Sequence, residues 1–306
     1  MALRSRTHLR FHAGRAGLLA LLATIVSACN RGILDPVGPV GQAEKTILIN
    51  STAIMLAIVI PTMVATVAIA WWFRRSNSKA TYLPDWEYSG GVEMVVWGIP
   101  VMTIMLLGGI TWISSHDLEP SKPLASTKPP LKVEVVSLDW KWLFIYPDQG
   151  IATVNQLVVP AGTPVSYRLT SATVWNVFFV PQFGTMIYTM PRMTTRLNLQ
   201  ADRQGVYEGI SAHFSGDGFP GMQFKAQVLP ADQFAMWAQG AHGQGGALDP
   251  ASFAELSKPS SYVKPMTYGS VAPGLFDAIV ANRVAQLQLP QPAPPAEQAP
   301  AASPGG

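Results

Sequence analysis

ILINSTAIMLAIVIPTMVATVAIAWWF, residues 47–73, runs for 27 positions without a charged side chain. At 1.5 Å per residue such a helix is about 40 Å long, enough to cross the ~30 Å hydrocarbon core of a bilayer. It has no charged face, so a soluble core helix with one wet side does not describe it. A second run, Met94 to Ser115, is uncharged over 22 positions and makes a helix of about 33 Å. The two predict a transmembrane hairpin over residues 47–115. Trp71 and Trp72 close the first run, and Trp97 and Trp112 lie near the ends of the second, where indole rings suit the membrane–water boundary. Pro61 and Pro100 sit inside the runs, a placement membrane helices tolerate when neighbouring groups satisfy the freed carbonyl.

Upstream, Arg4, Arg6, Arg10 and Arg15 precede the thirteen-residue apolar stretch Ala16 to Ala28. That stretch is too short to span and has the pattern of a secretory leader. It ends in Val26-Ser27-Ala28-Cys29, which resembles a lipobox, so residues 1–28 are expected to be removed and Cys29 to carry a lipid. Cys29 is the only cysteine in 306 residues, which excludes a disulfide framework and a zinc site built from several thiolates. The loop between the spans carries Arg74, Arg75 and Lys79, against Arg31 and Lys45 before the hairpin and Lys122 and Lys128 after it. The positive-inside bias puts that loop in the cytoplasm, and a cleaved leader agrees by exporting both ends. Residues 29–46 then form a short periplasmic segment.

Composition agrees with a membrane protein. Hydrophobic residues make up 48% and charged residues 13% of the chain, against roughly a quarter charged in soluble domains. The sequence pI near 9.0 invites a nucleic-acid reading, but removing the leader with its four arginines leaves 17 basic against 18 acidic residues. The basicity belongs to the export signal, and nucleic acid is not a partner.

Downstream, residues 116–130 read as a linker, with four prolines between Glu119 and Pro130 holding it extended. From there the apolar period becomes two. Val133 and Val135 alternate with Lys132 and Glu134, then Leu138, Trp140, Trp142 and Phe144 alternate in the opposite parity. A β-bulge near Val136 is the expected cause. Further strands are expected at 156–159, 165–170, 174–180, 194–199 and 222–228, a β-sandwich over residues 131–230. Residues 231–289 read as a helical extension, with helices at 232–239, 250–256 and 275–289. The Pro/Ala-rich tail 290–306 reads as disordered.

This order of elements resembles subunit II of the haem-copper terminal oxidases, and the resemblance covers nearly the whole mature chain. It implies a Greek-key cupredoxin fold for the sandwich. In the cytochrome c oxidases of that family the domain holds two coppers on a loop of the form Cys-x-Glu-x-Cys-Gly-x-x-His-x-x-Met, with another histidine on an upstream strand. Ser211-Ala212-His213-Phe214-Ser215-Gly216-Asp217-Gly218-Phe219-Pro220-Gly221-Met222 aligns with that loop without a gap, and Ser171 to Pro181 matches the strand. Serines stand at both cysteine positions, Ser211 and Ser215, and Asn176 and Phe219 stand for the histidines. His213 replaces the glutamate, and only Met222 is retained. A mixed-valence copper pair needs bridging thiolates, which neutral hydroxyls do not replace. No copper centre, and no metal of any kind, is expected in this chain.

Loss of the acceptor metal suits an oxidase fed by a lipid-soluble quinol. The chain resembles subunit II of the cytochrome bo-type ubiquinol oxidases, also through Leu34-Asp35-Pro36, Glu119 to Leu124, Asp139-Trp140-Lys141-Trp142 and Gly150 to Asn155. The resemblance implies a non-catalytic chain of a proton-translocating ubiquinol:oxygen oxidoreductase, partnered by a subunit I that holds the haems and copper and by small membrane subunits. It also implies a bacterial inner-membrane location, and it puts Glu93 at the mouth of a proton-uptake channel. A carboxylate at the start of a span is costly unless it faces water or a partner, although the helix dipole also favours an acid there. The stripe Trp140, Trp142, Phe144 and Tyr146 is expected in the sandwich core or a subunit contact. The competing readings are a copper-bearing cytochrome c oxidase subunit and a free-standing periplasmic binding lipoprotein.

Overall fold

The computed structural model describes residues 32–287. Cys29, the leader and the tail from 288 onward lie outside the described residues. Helix α1 spans Pro39–Trp72 and α2 spans Gly90–Asp117. Both are long and apolar enough to cross a membrane, with none of their most apolar windows buried within the chain. Pro61 and Pro100 sit inside without ending either helix. Thr62 and Thr103 turn their hydroxyls onto the carbonyls of Ile58 and Ile99 at 2.8 Å, hiding polar atoms that lipid cannot satisfy.

Helix α1 begins eight residues before the uncharged run, and the extra turns dock on the sandwich. Pro39 starts the helix at a position where no N–H is needed. Just before it, Val37 N donates to Gln182 O at 2.8 Å and Asp202 N to Val37 O at 2.7 Å. A Cβ on Gly38 would lie 1.7 Å from Gln200 O, so only glycine permits this approach. Arg203 pairs with Asp35 at 2.7 Å across the same junction, and that hydrogen bond holds the Asp35 carboxyl below its ordinary range.

The sandwich has strands β1 (Leu131–Leu138), β2 (Lys141–Tyr146), β3 (Ile151–Val154), β4 (Gln156–Pro160), β5 (Pro164–Ser171), β6 (Asn176–Phe179), β7 (Ile187–Thr189), β8 (Thr195–Gln200), β9 (Gly205–Ser211) and β10 (Gln223–Leu229). Helix α3 (Ala231–Ala241), β11 (Ala247–Leu248), α4 (Pro250–Leu256), β12 (Met266–Tyr268), β13 (Ser270–Val271) and α5 (Leu275–Val280) follow. One sheet has the order β12-β3-β2-β1-β5-β8 and the other β4-β10-β9-β6-β7. The pairs β1–β5 and β4–β10 are parallel, the remaining neighbours antiparallel. Trp142, Phe144 and Tyr146 fill the core between the sheets. The Tyr146 hydroxyl crosses from one sheet to the other, accepting from Val158 N at 2.8 Å and donating to Val158 O at 3.0 Å. Burial pushes its ionisation well above the usual phenol range.

There is no bulge at Val136. The β1–β2 ladder runs unbroken from Glu134 opposite Ile145 to Leu138 opposite Lys141. The parity change arises because this sheet is buried on both faces: Val133 and Val135 face the inter-sheet core, whereas Val136, Leu138, Leu143 and Ile145 join a second core. The extension supplies the other half of that core through Leu248, Phe253, Leu256, Phe276 and Ile279. Trp140 leaves the stripe, since it sits in the β1–β2 turn with φ 63°.

The extension is not simply helical. Strand β12 adds to the sheet beside β3, β11 pairs with β13, and the helix expected to reach 289 stops at Val280. Asn282 follows with φ 53°, a left-handed backbone that ends regular helix. Strands β3, β7 and β9 are additions to the expected set. The first is buried on both faces and shows no alternation, the second has three residues, and the third carries Gly205 and Gly209. The proline linker lies on the edge strand β8, with Asn198 N donating to Pro120 O at 2.9 Å and Asn198 Nδ2 to Ser121 O at 3.0 Å. It covers an edge that would otherwise offer open hydrogen-bonding groups.

Candidate functional site

The loop 211–222 joins β9 to β10 through a 3-10 turn at Phe219–Gly221. Strand pairing brings the upstream strand beside it, with Phe178 opposite Ser211 and Ala212 N donating to Val177 O at 3.0 Å. Asn176 and Ser211 are thereby placed together, the Ser211 hydroxyl 3.1 Å from Asn176 Oδ1 and 3.3 Å from His213 O. Asn176 Nδ2 donates to Val174 O at 3.3 Å, Thr189 Oγ1 to Asn176 O at 3.3 Å, and the Ser137 and Thr189 hydroxyls meet at 2.8 Å. Asn176, Ser211, Thr189 and Ser137 are all buried, so these bonds meet a need that water cannot.

The other half of the loop is packed by sulfur and rings. Ser215 Oγ lies 3.9 Å from the buried Met222 Sδ, and Trp140 Nε1 donates to Ser215 O at 3.0 Å. A Cβ on Gly218 would stand 2.2 Å from Trp140 Cδ2, so the indole rests directly on the loop backbone. The Phe219 ring meets Phe214 edge-on at 5.6 Å, and the His213 ring lies against Trp175 at 4.9 Å and Tyr188 at 6.0 Å.

A copper pair of the kind held on the cytochrome c oxidase loop does not fit these residues. Its positions offer two hydroxyls, a carboxamide, a phenyl ring and one thioether, with no thiolate and no imidazole among them. His213 is turned into an aromatic shelf, and a thioether alone is a weak ligand. Among the described residues, no three His, Cys, Asp or Glu side chains gather as a metal site.

Glu93 stands apart from this loop, in the first turn of α2. Its Oε2 accepts from Trp97 Nε1 at 3.1 Å, and the far end of α2 is about 36 Å away at 1.5 Å per residue.

Three residues missed by the sequence reading fasten the extension. Lys141 is 1% exposed, and its Nζ donates to Lys258 O at 2.7 Å and Ser260 Oγ at 2.6 Å. Burial lowers its pKa. Asn155 Oδ1 accepts from Trp142 N and its Nδ2 donates to Val263 O, both at 2.8 Å. Arg168 bridges Glu134 at 2.8 Å and Asp277 at 2.7 Å while lying 4.7 Å from the Phe276 ring centroid. Burial raises the Glu134 carboxyl above its ordinary range, with Arg168 pulling against it. A lysine at the head of an otherwise apolar strand is the one visible signal.

The profile of a family described as COX Aromatic Rich Motif matches residues 242–285 of this extension. The cytochrome bo(3) ubiquinol oxidase subunit 2 of Pseudomonas aeruginosa is 46% identical over 258 residues, covering 84% of this chain and 78% of that protein. The chain belongs to the ubiquinol oxidase subunit 2 family. The ubiquinol oxidase subunit 2 of Acetobacter aceti is likewise 46% identical, over 264 residues and 85% of each chain. The periplasmic domain of subunit II of cytochrome oxidase from Bradyrhizobium japonicum, a solved structure, is 23% identical, with a TM-score of 0.36, over 38% of this chain and 95% of that one.

As a ubiquinol oxidase subunit 2, the chain is part of a quinol oxidase complex. It is a membrane protein with two helices long and apolar enough to span, followed by a β-sandwich. Membership in this family sets aside both competing readings, the cytochrome c oxidase subunit and the free-standing lipoprotein.

Proposed function

We propose that this subunit carries no redox metal and serves the ubiquinol oxidase as a scaffold. It clamps the haem- and copper-bearing subunit I through the α1–α2 hairpin, covers that subunit's periplasmic face with the sandwich, and contacts small membrane subunits. Electrons from ubiquinol pass to haem in subunit I without crossing this domain, and the complex translocates protons. Cys29 holds the mature N-terminus to the outer leaflet of the bacterial inner membrane. The observation that carries this reading is the closed set of bonds among Asn176, Ser211, Thr189 and Ser137 in the frame where relatives of the cytochrome c type place copper. Neutral groups that satisfy one another need no cation, and a cation there would find no anionic ligand.

Metal analysis of the purified complex, followed by analysis of this subunit separated from it, tests the reading. Copper is expected with the haem-bearing partner alone. Stoichiometric copper, or a thiolate-to-copper absorbance, in this subunit overturns it.

Glu93 is proposed to collect protons at the cytoplasmic mouth of an uptake channel of subunit I. Its bond from Trp97 leaves the other carboxylate oxygen open, and a carboxylate at the membrane boundary is retained where it faces water or a partner. Glu93→Ala is expected to lower turnover and proton uptake severalfold in the assembled oxidase with haem content unchanged. Unaltered uptake and turnover in a fully assembled variant would remove the role.

A further inference from the structure

The α1–α2 loop encloses an open-sided cavity of about 880 Å³ whose lining includes Trp72, Phe73, Arg74, Arg75, Lys79 and Trp86. No acidic residue lines it, although Asp85 and Glu87 belong to the same loop. The loop has a defined shape. Asn77 Nδ2 donates to Trp72 O at 2.6 Å and Asn77 Oδ1 accepts from Lys79 N at 3.2 Å, closing the end of α1. Arg74 is committed to that closure: it donates to Trp71 O at 2.8 Å and Ser76 Oγ at 3.0 Å, with its guanidinium 4.6 Å from the Trp71 ring centroid.

Arg75 and Lys79 have no such commitment. Both side chains are exposed, and neither makes a hydrogen bond or ion pair with any described residue. Two free cations thus line an acid-free cavity at the boundary end of an apolar helix, among the exposed rings of Trp72, Phe73 and Trp86. Lipid tails can follow the apolar flank of α1 while the aromatic rings hold the headgroup level. A headgroup phosphate is the group that two unpaired cations at that depth attract, and guanidinium recognises it by paired donors.

We propose that this cavity binds the headgroup of an anionic phospholipid in the leaflet facing the α1–α2 loop, with Arg75 and Lys79 holding the phosphate and the aromatic rim seating the glycerol and upper acyl chains. The site joins the subunit to the charge of its membrane independently of the lipid on Cys29.

The test uses the whole oxidase in phosphatidylcholine vesicles carrying a photo-crosslinkable phosphatidylglycerol or, separately, the equivalent phosphatidylcholine probe. Mass spectrometry reads the yield on the peptide covering residues 72–86. Phosphatidylglycerol is expected to label this peptide in clear excess over phosphatidylcholine. Arg75→Gln/Lys79→Gln is expected to cut that labelling about tenfold, with haem content and quinol oxidation unchanged, while Arg75→Lys/Lys79→Arg retains it. Inorganic phosphate is expected not to compete. Equal labelling by the two probes, or full labelling of the glutamine variant, overturns the site. Displacement by inorganic phosphate overturns the lipid assignment in favour of a free-anion site.

Discussion

Phe178→Ala lowers the unfolding free energy of the sandwich by about 3–5 kcal/mol, the range for emptying a buried aromatic position. Phe178 is fully buried and stacks on Phe224 at 5.4 Å and 13°. Three more rings meet it, Trp142 at 5.6 Å, Phe144 at 6.3 Å and Tyr167 at 5.5 Å. These neighbours come from both sheets, so no single shift of one element closes the space. The loss reaches the candidate site as well, because Phe178 lies opposite Ser211 in the β6–β9 ladder and two residues from Asn176. Denaturant unfolding of the full chain, followed by tryptophan fluorescence, measures the effect, with Phe214→Ala as the reference at a 70% exposed ring. A change for Phe178→Ala no larger than the ~0.5 kcal/mol expected at the exposed site would contradict this account of the core.

The parts of the fold readable from sequence are those whose physical constraint is local. A span must be uncharged over its whole length, so residues 47–73 and 94–115 announced themselves, whereas the added turns of α1 from Pro39 depend on Gly38 meeting Gln200 O, a contact 162 residues away in the chain. Alternation in β2 reads correctly as core, but the slip at Val136 reads as a bulge because a second core built by the extension leaves no mark in β1 itself. The structure brings Asn176 beside Ser211, as the alignment of the two segments implies. The bonds made there were not legible, since the closure of Asn176 on Ser211 and of Thr189 on Ser137 joins four separate strands. The fastening of the extension was hidden for the same reason.

Asn155→Leu is expected to cost at least about 3 kcal/mol and to loosen the extension selectively. Asn155 has φ 53°, a left-handed backbone that asparagine tolerates and a branched aliphatic residue adopts at a cost of about 1–2 kcal/mol. Its side chain joins Trp142 N to Val263 O, while its own N donates to Trp142 O at 2.8 Å and its O accepts from Lys225 N at 3.1 Å. Leucine strands the Trp142 N–H and the Val263 carbonyl, each unpaired buried group costing about 1–3 kcal/mol. Asn155→Gly separates the two causes, because it keeps the backbone conformation while losing the same two bonds. It should therefore recover only the strain. Asn155→Asp keeps the acceptor for Trp142 N but cannot donate to Val263 O, so its damage should concentrate on the extension. Thermal unfolding of the full chain reports the total, and limited proteolysis reports whether residues 242–285 are released before the sandwich opens. An Asn155→Leu chain that melts as the parent does and keeps its extension protease-resistant would show that the second core alone holds the extension, and that the asparagine bridge contributes nothing to it.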